Sequence, residues 1–251
     1  MHKLSNQMGS SHLIYENTSQ TGKVRKNNED RVKIIYVDDG LLAILCDGLG
    51  GTSGGEVAAD LCIETITEYF SNSKETDVLQ KISNAVVKAN NIIYDEGQKS
   101  SRLLNMSTTL EIVLIQNSTI FWGHIGDSRI YSFKNGKLKQ ITKDHSLVQK
   151  LVDEGQLSVA QAEVFPNKNV IVKAIGSSEK IIPDVSKVRF QGNGRQKVFM
   201  CSDGVHGVLS HDELEDILSE NKLTESKKKL INLIERRGSP DNYSFIIISS
   251  E

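Results

Sequence analysis

The sequence predicts an α+β layered fold, and three observations point to it. Apolar, β-branched runs of strand length come in groups, joined by short turns rich in glycine, asparagine and aspartate. Patterns of helical period also come in groups, set between those runs. Strand and helix do not alternate one for one, so the layers should be antiparallel sheet and helix, not β-α units. The 251 residues include only three prolines and show no repeat or low-complexity tract. A single domain over 1–251 is expected.

In chain order, "VKIIYV" and "LLAILC" read as strands joined at Asp38, Asp39 and Gly40, a hairpin signal of the Asp-Gly kind. Apolar residues at helical spacing over 57–69 and 78–93 predict two helices that pack as a pair. "TTLEIVLIQ", "TIFWGHI", "SRIYSF" and "LKQIT" follow as four short strands, with turns at Asn117-Ser118 and Asn135-Gly136. "SLVQKLVDEGQ" reads as a helix leading into a polar stretch, and "NVIVKAI", "VSKVRF" and "KVFMCS" read as strands. Ser210 and Glu213 form a capping-box pattern ahead of the helix "DELEDILSE". The helix "SKKKLINLIERR", a Gly-Ser-Pro turn and the strand "YSFIIIS" complete the chain.

Composition narrows the function. Thirty basic against 32 acidic residues leave a net charge of -2, so nothing draws the chain to nucleic acid or to a membrane surface. No segment approaches the ~18 apolar residues of a membrane helix, and the N-terminus lacks the apolar stretch of a signal peptide. The three cysteines, Cys46, Cys62 and Cys201, lack metal-knuckle spacing and are an odd number, which suits a reducing compartment. A soluble, cytoplasmic protein is expected.

The acids carry the chemistry. Asp47 ends the strand "LLAILC", Asp203 ends "KVFMCS", Asp127 lies between two strands in "GHIGDSRIY", and Asp241 precedes the last strand in "GSPDNYSF". Any one of them alone reads as a turn residue. Four at strand ends suggest a cluster of like charges, which demands cations, and oxygen ligands without His or Cys favour Mg²⁺ or Mn²⁺. The glycines of "DGLGGTSGG" also admit a phosphate cradle, but a Walker loop is absent and a dinucleotide fold would need alternating β-α units. Asp38 and Asp39 as a receiver-type acidic pair fail on the same topology. Upstream, "TGKVRKNNED" places Arg25, a planar fork suited to phosphate, ahead of Glu29 and Asp30. By itself that stretch is a charged loop.

In this order, "VRKNNED", "CDGLGG", "STTL", "GDSR", "DHSLVQKLV", "CSDGV" and "PDNYSF" resemble the metal-dependent protein phosphatase family, the type 2C serine/threonine phosphatases, and most of all its bacterial branch. The resemblance runs from about residue 18 to 249. It implies a four-layer α-β-β-α sandwich, two antiparallel sheets flanked by helix pairs, with a binuclear Mn²⁺ or Mg²⁺ centre at one end. It further implies that Asp47 bridges the two ions, with the Gly48 carbonyl and Glu29 on one and Asp203 and Asp241 on the other. Asp127 with Asp203 would hold a third ion, Asp30 would orient metal-bound water, and Arg25 would hold the substrate phosphate. The glycines then have a use: Gly48 turns its carbonyl to a metal, while Gly50 and Gly51 allow close backbone approach.

The implied activity is hydrolysis of phosphoserine and phosphothreonine in proteins by a metal-activated water. The implied partners are phosphoprotein substrates and a cognate serine/threonine kinase, in a signalling role. A silent phosphoprotein-binding domain would lack a metal ligand, and a scaffold would not need acids at four strand ends. Two positions depart from the family pattern. Leu49 stands where eukaryotic relatives carry a histidine proposed to protonate the leaving alcohol, and Ser107 stands where the family usually has glycine. Neither departure is expected to abolish activity. His124, His145 and His206 are expected to be structural. Residues 145–170 correspond to the family's flap, which in relatives influences substrate access, and the amphipathic helix within it reads equally as a packing element. No stretch suggests a dimer interface.

Overall fold

The computed structural model describes residues 13–37, 40–50, 54–166, 169–191 and 196–250. Twelve strands and seven helices are present among them. The strands are β1 (Leu13–Gln20), β2 (Arg31–Val37), β3 (Gly40–Cys46), β4 (Gly48–Leu49), β5 (Ser107–Thr108), β6 (Leu110–Gln116), β7 (Thr119–Ile125), β8 (Arg129–Lys134), β9 (Lys137–Gln140), β10 (Asp184–Arg189), β11 (Gln196–Cys201) and β12 (Tyr243–Ser250). The helices are α1 (Gly54–Asn72), α2 (Val78–Lys99), α3 (Leu147–Asp153), α4 (Val159–Glu163), α5 (Asp203–His206), α6 (His211–Leu218) and α7 (Leu223–Arg236).

Two five-stranded sheets run β1-β12-β11-β8-β9 and β10-β7-β6-β3-β2, and β4-β5 forms a short ribbon. Every pairing is antiparallel. Side-chain alternation builds the layers. Leu41, Ala43 and Leu45 of β3 enter the cluster between the sheets, where they meet Val198 and Met200 of β11 and Ile246 and Ile248 of β12. Leu42, Ile44 and Cys46 point the other way, onto Ala58, Cys62 and Ile66 of α1 and Ile82, Val86 and Ala89 of α2. On the far side Phe199, Phe245 and Ile247 pack against Leu214 and Ile217 of α6 and Leu230 and Ile234 of α7. This is the expected α-β-β-α sandwich. Central strands buried on both faces explain why "LLAILC" and "FIII" are continuous apolar runs, each Leu, Ile or Phe side chain contributing about 1.5–3 kcal/mol.

Local signals behave as their chemistry requires. The turn residues Asn117 and Ser118, and Asn135 and Gly136, all have positive φ (48°, 57°, 53° and 77°), as two-residue hairpins need. Ser210 caps α6, accepting from the Glu213 amide while the Glu213 side chain accepts from the Ser210 amide. Of the expected Asp38-Asp39-Gly40 turn, Asp38 and Asp39 lie outside the described residues, but Val37 pairs with Gly40 as a hairpin requires.

Several expectations need correction. "NVIVKAI" is not a strand: it is held by isolated bridges, Ile171 to Ser146 and Ile175 to Thr108. Its apolar residues serve single contacts with two different partners, so no ladder forms. "TTLEIVLIQ" is split into β5 and β6. Asp203 does not end a strand but opens the one-turn helix α5 after β11 stops at Cys201. Strand β1 escapes the sequence pattern because "LIYENTSQ" has little apolar alternation, and its place comes from pairing with β12. Among the described residues no helix is long and apolar enough to cross a membrane.

Candidate metal centre

Strand registers bring the acids to one end of both sheets. In one sheet Arg31 pairs with Cys46, so Asp30 and Asp47, each one residue beyond, lie side by side. In the other, Cys201 pairs with both Phe245 and Arg129, which sets Asp203 near Asp241 and Asp127. The sheets meet through side chains: the Ser202 hydroxyl donates to Asp30 Oδ2 at 2.8 Å, and the charge of Asp203 acts on Asp47 across the junction.

The Asp47 backbone is fixed on both sides. Its amide donates to Thr109 Oγ1 at 3.0 Å, and its carbonyl accepts from the Thr109 amide at 2.8 Å and the Thr108 hydroxyl at 2.9 Å. Gly48 follows because no side chain fits: a Cβ there would lie 2.3 Å from the Gly55 carbonyl oxygen and 2.8 Å from that of Glu29. Gly50 backs onto the Gly55 amide in the same way, 3.1 Å from its would-be Cβ, and Gly51 lies outside the described residues. The Glu29 carboxylate reaches the first turn of α1, where a Cβ on Gly55 would lie 2.9 Å from Glu29 Oε1. Gly126, at φ 112°, turns the chain into Asp127, where a Cβ would strike Thr109 Cγ2 at 2.6 Å.

Charge is concentrated and poorly solvated here. Burial, followed by Asp30, Asp203 and Asp127, holds the Asp47 carboxyl well above the ordinary carboxylate range. Burial lifts Asp30 to about 7 against the hydrogen bond from Ser202. Burial and then Asp203 lift Asp127 to about 7. Asp203 is raised by burial and by Asp241. Glu29 is raised by burial.

Donors hold two of these carboxylates, Asp30 at Oδ2 by Ser202 and Asp241 by arginine. Arg25 grips Asp241 through Nε to Oδ1 at 2.7 Å and Nη2 to Oδ2 at 2.8 Å. Among the described residues no three His, Cys, Asp or Glu side chains are already arranged about one point to hold an ion. Two carboxylate oxygens nevertheless remain buried without a hydrogen-bond partner, Asp30 Oδ1 and Asp127 Oδ1. Orphaned anionic oxygens beside carboxyls of raised proton affinity fit a hard divalent cation, which would replace the proton.

The structure adds residues that sequence reasoning missed. Asn242 accepts from the Glu29 amide at 2.9 Å and donates to the carbonyls of Thr21 at 2.8 Å and Asn27 at 2.9 Å. It fastens the Arg25–Asp30 loop to the start of β12. Ser202 ties Asp30 to Ser244, whose amide donates to Ser202 Oγ at 3.0 Å. Their only sequence signal is membership of "CSDGV" and "PDNYSF". Arg129 of "GDSR" and Asp144 of "DHS" form a two-point ion pair, with Nη2 to Oδ2 at 2.7 Å.

His124, His145 and His206 are each engaged by protein groups. His124 is fully buried between the Glu111 carboxylate at 2.6 Å and the Lys143 carbonyl at 2.8 Å, His145 stacks on it at 4.5 Å between ring centres, and His206 Nε2 meets the Asp127 carbonyl at 3.0 Å. Ser107 pairs with Leu49 in the ribbon and is not among the positive-φ residues, so the position does not require glycine.

A four-layer sandwich with carboxylates gathered at one end of both sheets is the architecture of a metal-dependent phosphatase. Residues 21–241 match the family described as Protein phosphatase 2C, and the chain belongs to that family. The serine/threonine protein phosphatase PstP of Mycobacterium tuberculosis is 35% identical over 235 residues, covering 94% of this chain and 44% of that protein. This chain therefore spans less than half of the length of PstP. A putative protein phosphatase 2C-type of Streptococcus pyogenes is 33% identical, covering 92% of this chain and 94% of its own. The S. agalactiae serine/threonine phosphatase structure matches with a TM-score of 0.89 at 28% identity, over 96% of this chain and 100% of that one. The PstP catalytic domain, solved in complex with two manganese ions, matches with a TM-score of 0.82 at 33% identity, over 94% of this chain and 97% of that one.

Proposed function

We propose that this chain is a single catalytic domain that hydrolyses phosphoserine and phosphothreonine in proteins, with Mn²⁺ or Mg²⁺ as cofactor, and so reverses a serine/threonine kinase. The observation that carries the reading is the cluster of Asp30, Asp47, Asp127 and Asp203, of which Asp30 and Asp127 are buried and Asp47 and Asp203 half-buried, with two oxygens lacking a hydrogen-bond partner and all four carboxyls raised in proton affinity. We assign one ion to Asp47, the Gly48 carbonyl and Glu29, and a second to Asp47, Asp203 and Asp241, with Asp127 and Asp203 for a third. Bound there, such ions lower the pKa of water and neutralise charge on the phosphoryl group.

The chain's own residues supply the rest. Asp30, fixed at Oδ2 by Ser202 and lifted to about 7, can accept or hold a proton at Oδ1 near neutral pH. That capacity is relevant because Leu49 offers no titratable group. Arg25 presents a planar fork to the phosphate once it exchanges Asp241 for the substrate. Phosphoryl transfer leaves the protein mainly positioning and charge stabilisation, which this inventory can provide. Three free cysteines, all buried, accord with a cytoplasmic location.

The test is phosphate release from a phosphothreonine peptide with Mn²⁺, repeated with a chelator. Release that the chelator abolishes supports the reading. A folded protein that releases no phosphate under Mn²⁺ or Mg²⁺ overturns it.

A further inference from the structure

Beside the acid cluster runs a groove of about 710 Å³. Its near wall is Leu49 and Ser107, the paired residues of the β4-β5 ribbon. Its far wall comes from residues 171–182. Backbone hydrogen bonds join the walls, Thr108 amide to Ile175 carbonyl at 3.1 Å and Ile175 amide to Thr108 carbonyl at 2.9 Å. Since the Thr108 hydroxyl also donates to the Asp47 carbonyl at 2.9 Å, hydrogen bonds tie Asp47 to Thr108 and Ile175, the buried residues that adjoin the two walls.

The lining contrasts with the cluster in charge. Among the described residues it holds Lys173 and Lys180 and no carboxylate. Lys173 is engaged by Asp184 at 3.4 Å, whereas Lys180 is exposed and forms no ion pair among the described residues. The lining also presents apolar side chains to water: Val172 is 51% and Ile182 is 80% exposed. Exposed apolar side chains beside an uncommitted ammonium fit a ligand that brings an apolar group and an anion together.

A phosphoprotein whose phosphoryl group sits at the cluster must lay its flanking residues against a wall next to it. We propose that this groove is a substrate subsite. It takes an apolar side chain of the substrate against Val172 and Ile182, and a neighbouring carboxylate of the same segment at Lys180. Substrate choice is then set partly by an apolar-acidic sequence flanking the phosphoresidue. The inference rests on the phosphatase reading and names its substrate class.

Fluorescein-labelled phosphothreonine peptides with Leu-Glu on either side, or Ser-Lys in its place, test the subsite by binding and by KM and kcat. p-Nitrophenyl phosphate, too small to reach the groove, serves as the control. Lys180→Glu should weaken binding and raise KM for one of the Leu-Glu peptides by about 5- to 20-fold, with its kcat and p-nitrophenyl phosphate turnover unchanged. The same variant should improve the Ser-Lys peptide, and Ile182→Ser should weaken the Leu-Glu peptide alone. Equal binding of all peptides by wild type, or variants that leave both affinities unaltered, would overturn the subsite. Loss of p-nitrophenyl phosphate turnover by the wild type would instead count against the phosphatase reading, while peptide binding would still judge the groove.

Discussion

Arg25 and Asp241, 216 positions apart in the chain, are joined by a two-point ion pair, Nε to Oδ1 at 2.7 Å and Nη2 to Oδ2 at 2.8 Å. The carboxylate needed for a metal and the guanidinium needed for phosphate thus hold each other. A ligand that takes one of them frees the other.

Arg25→Ala should therefore separate two functions. Loss of the fork should lower kcat/KM for a phosphopeptide by about 10- to 100-fold, as expected for a charge-assisted contact to phosphate. Mn²⁺ affinity should be equal or higher, because Asp241 is no longer engaged. Steady-state kinetics beside calorimetric titration of Mn²⁺ would show the split, and a parallel loss of both would contradict it.

Asp47→Asn should stabilise the chelated protein at neutral pH. The Asp47 carboxyl is held above its unfolded value near 4 by burial and by its acidic neighbours. Its ionised form therefore costs stability as pH rises from about 4 through the folded value. The variant should melt about 3–8 °C higher than wild type at pH 7.5, with a smaller difference at pH 5. Thermal melts with and without Mn²⁺ would check this, and the variant should lose most of the gain that Mn²⁺ gives wild type.

His145 carries the opposite dependence. Burial, with His124 and Lys173 adding to it, lowers its pKa to about 4. The unfolded chain takes up this proton below about 6.5 while the folded one does not, so stability falls as pH drops from about 6.5 to 4. Replacement by Asn, whose side-chain oxygen can still accept the Gly126 amide that His145 Nδ1 accepts at 3.1 Å, should flatten that part of the profile. Denaturant unfolding at pH 7 and pH 5 measures it, and an unchanged difference between the two would contradict the assignment.

Asn242→Ala should loosen Glu29 and the Arg25–Asp30 loop together. The residue is 6% exposed and its side chain makes three backbone contacts, so removal of the amide should cost about 2–4 kcal/mol. Mn²⁺ affinity should fall as well. Unfolding and titration of the same preparation would show whether the two losses occur together.

Much of this was legible in the sequence, and the limits have physical causes. The apolar runs of β3 and β12, the hairpins at Asn117-Ser118 and Asn135-Gly136, and the capping box of Ser210 and Glu213 are local devices, so their residues announce them. Asp47, Asp127 and Asp241 were legible as acids flanking strands, whereas Asp203 follows β11 at one residue's distance and opens α5. Strand β1 was hidden because its position depends on β12, and the bridges at Ile171 and Ile175 because isolated contacts leave the pattern of a strand without a ladder. The Arg25–Asp241 pair, the Ser202–Asp30 link and the Asn242 hub join residues more than 170 positions apart. Nothing in the neighbouring residues encodes such partners.

The most direct test of the central claim is calorimetric titration of Mn²⁺ into the protein at pH 6.5, in two buffers of different ionisation enthalpy. A metal centre built from carboxyls of raised proton affinity predicts at least two ions bound and about one proton or more released on binding. Asp47→Asn with Asp203→Asn should abolish both signals. Absence of Mn²⁺ binding by the folded wild type, or binding that survives the double substitution, would contradict the claim.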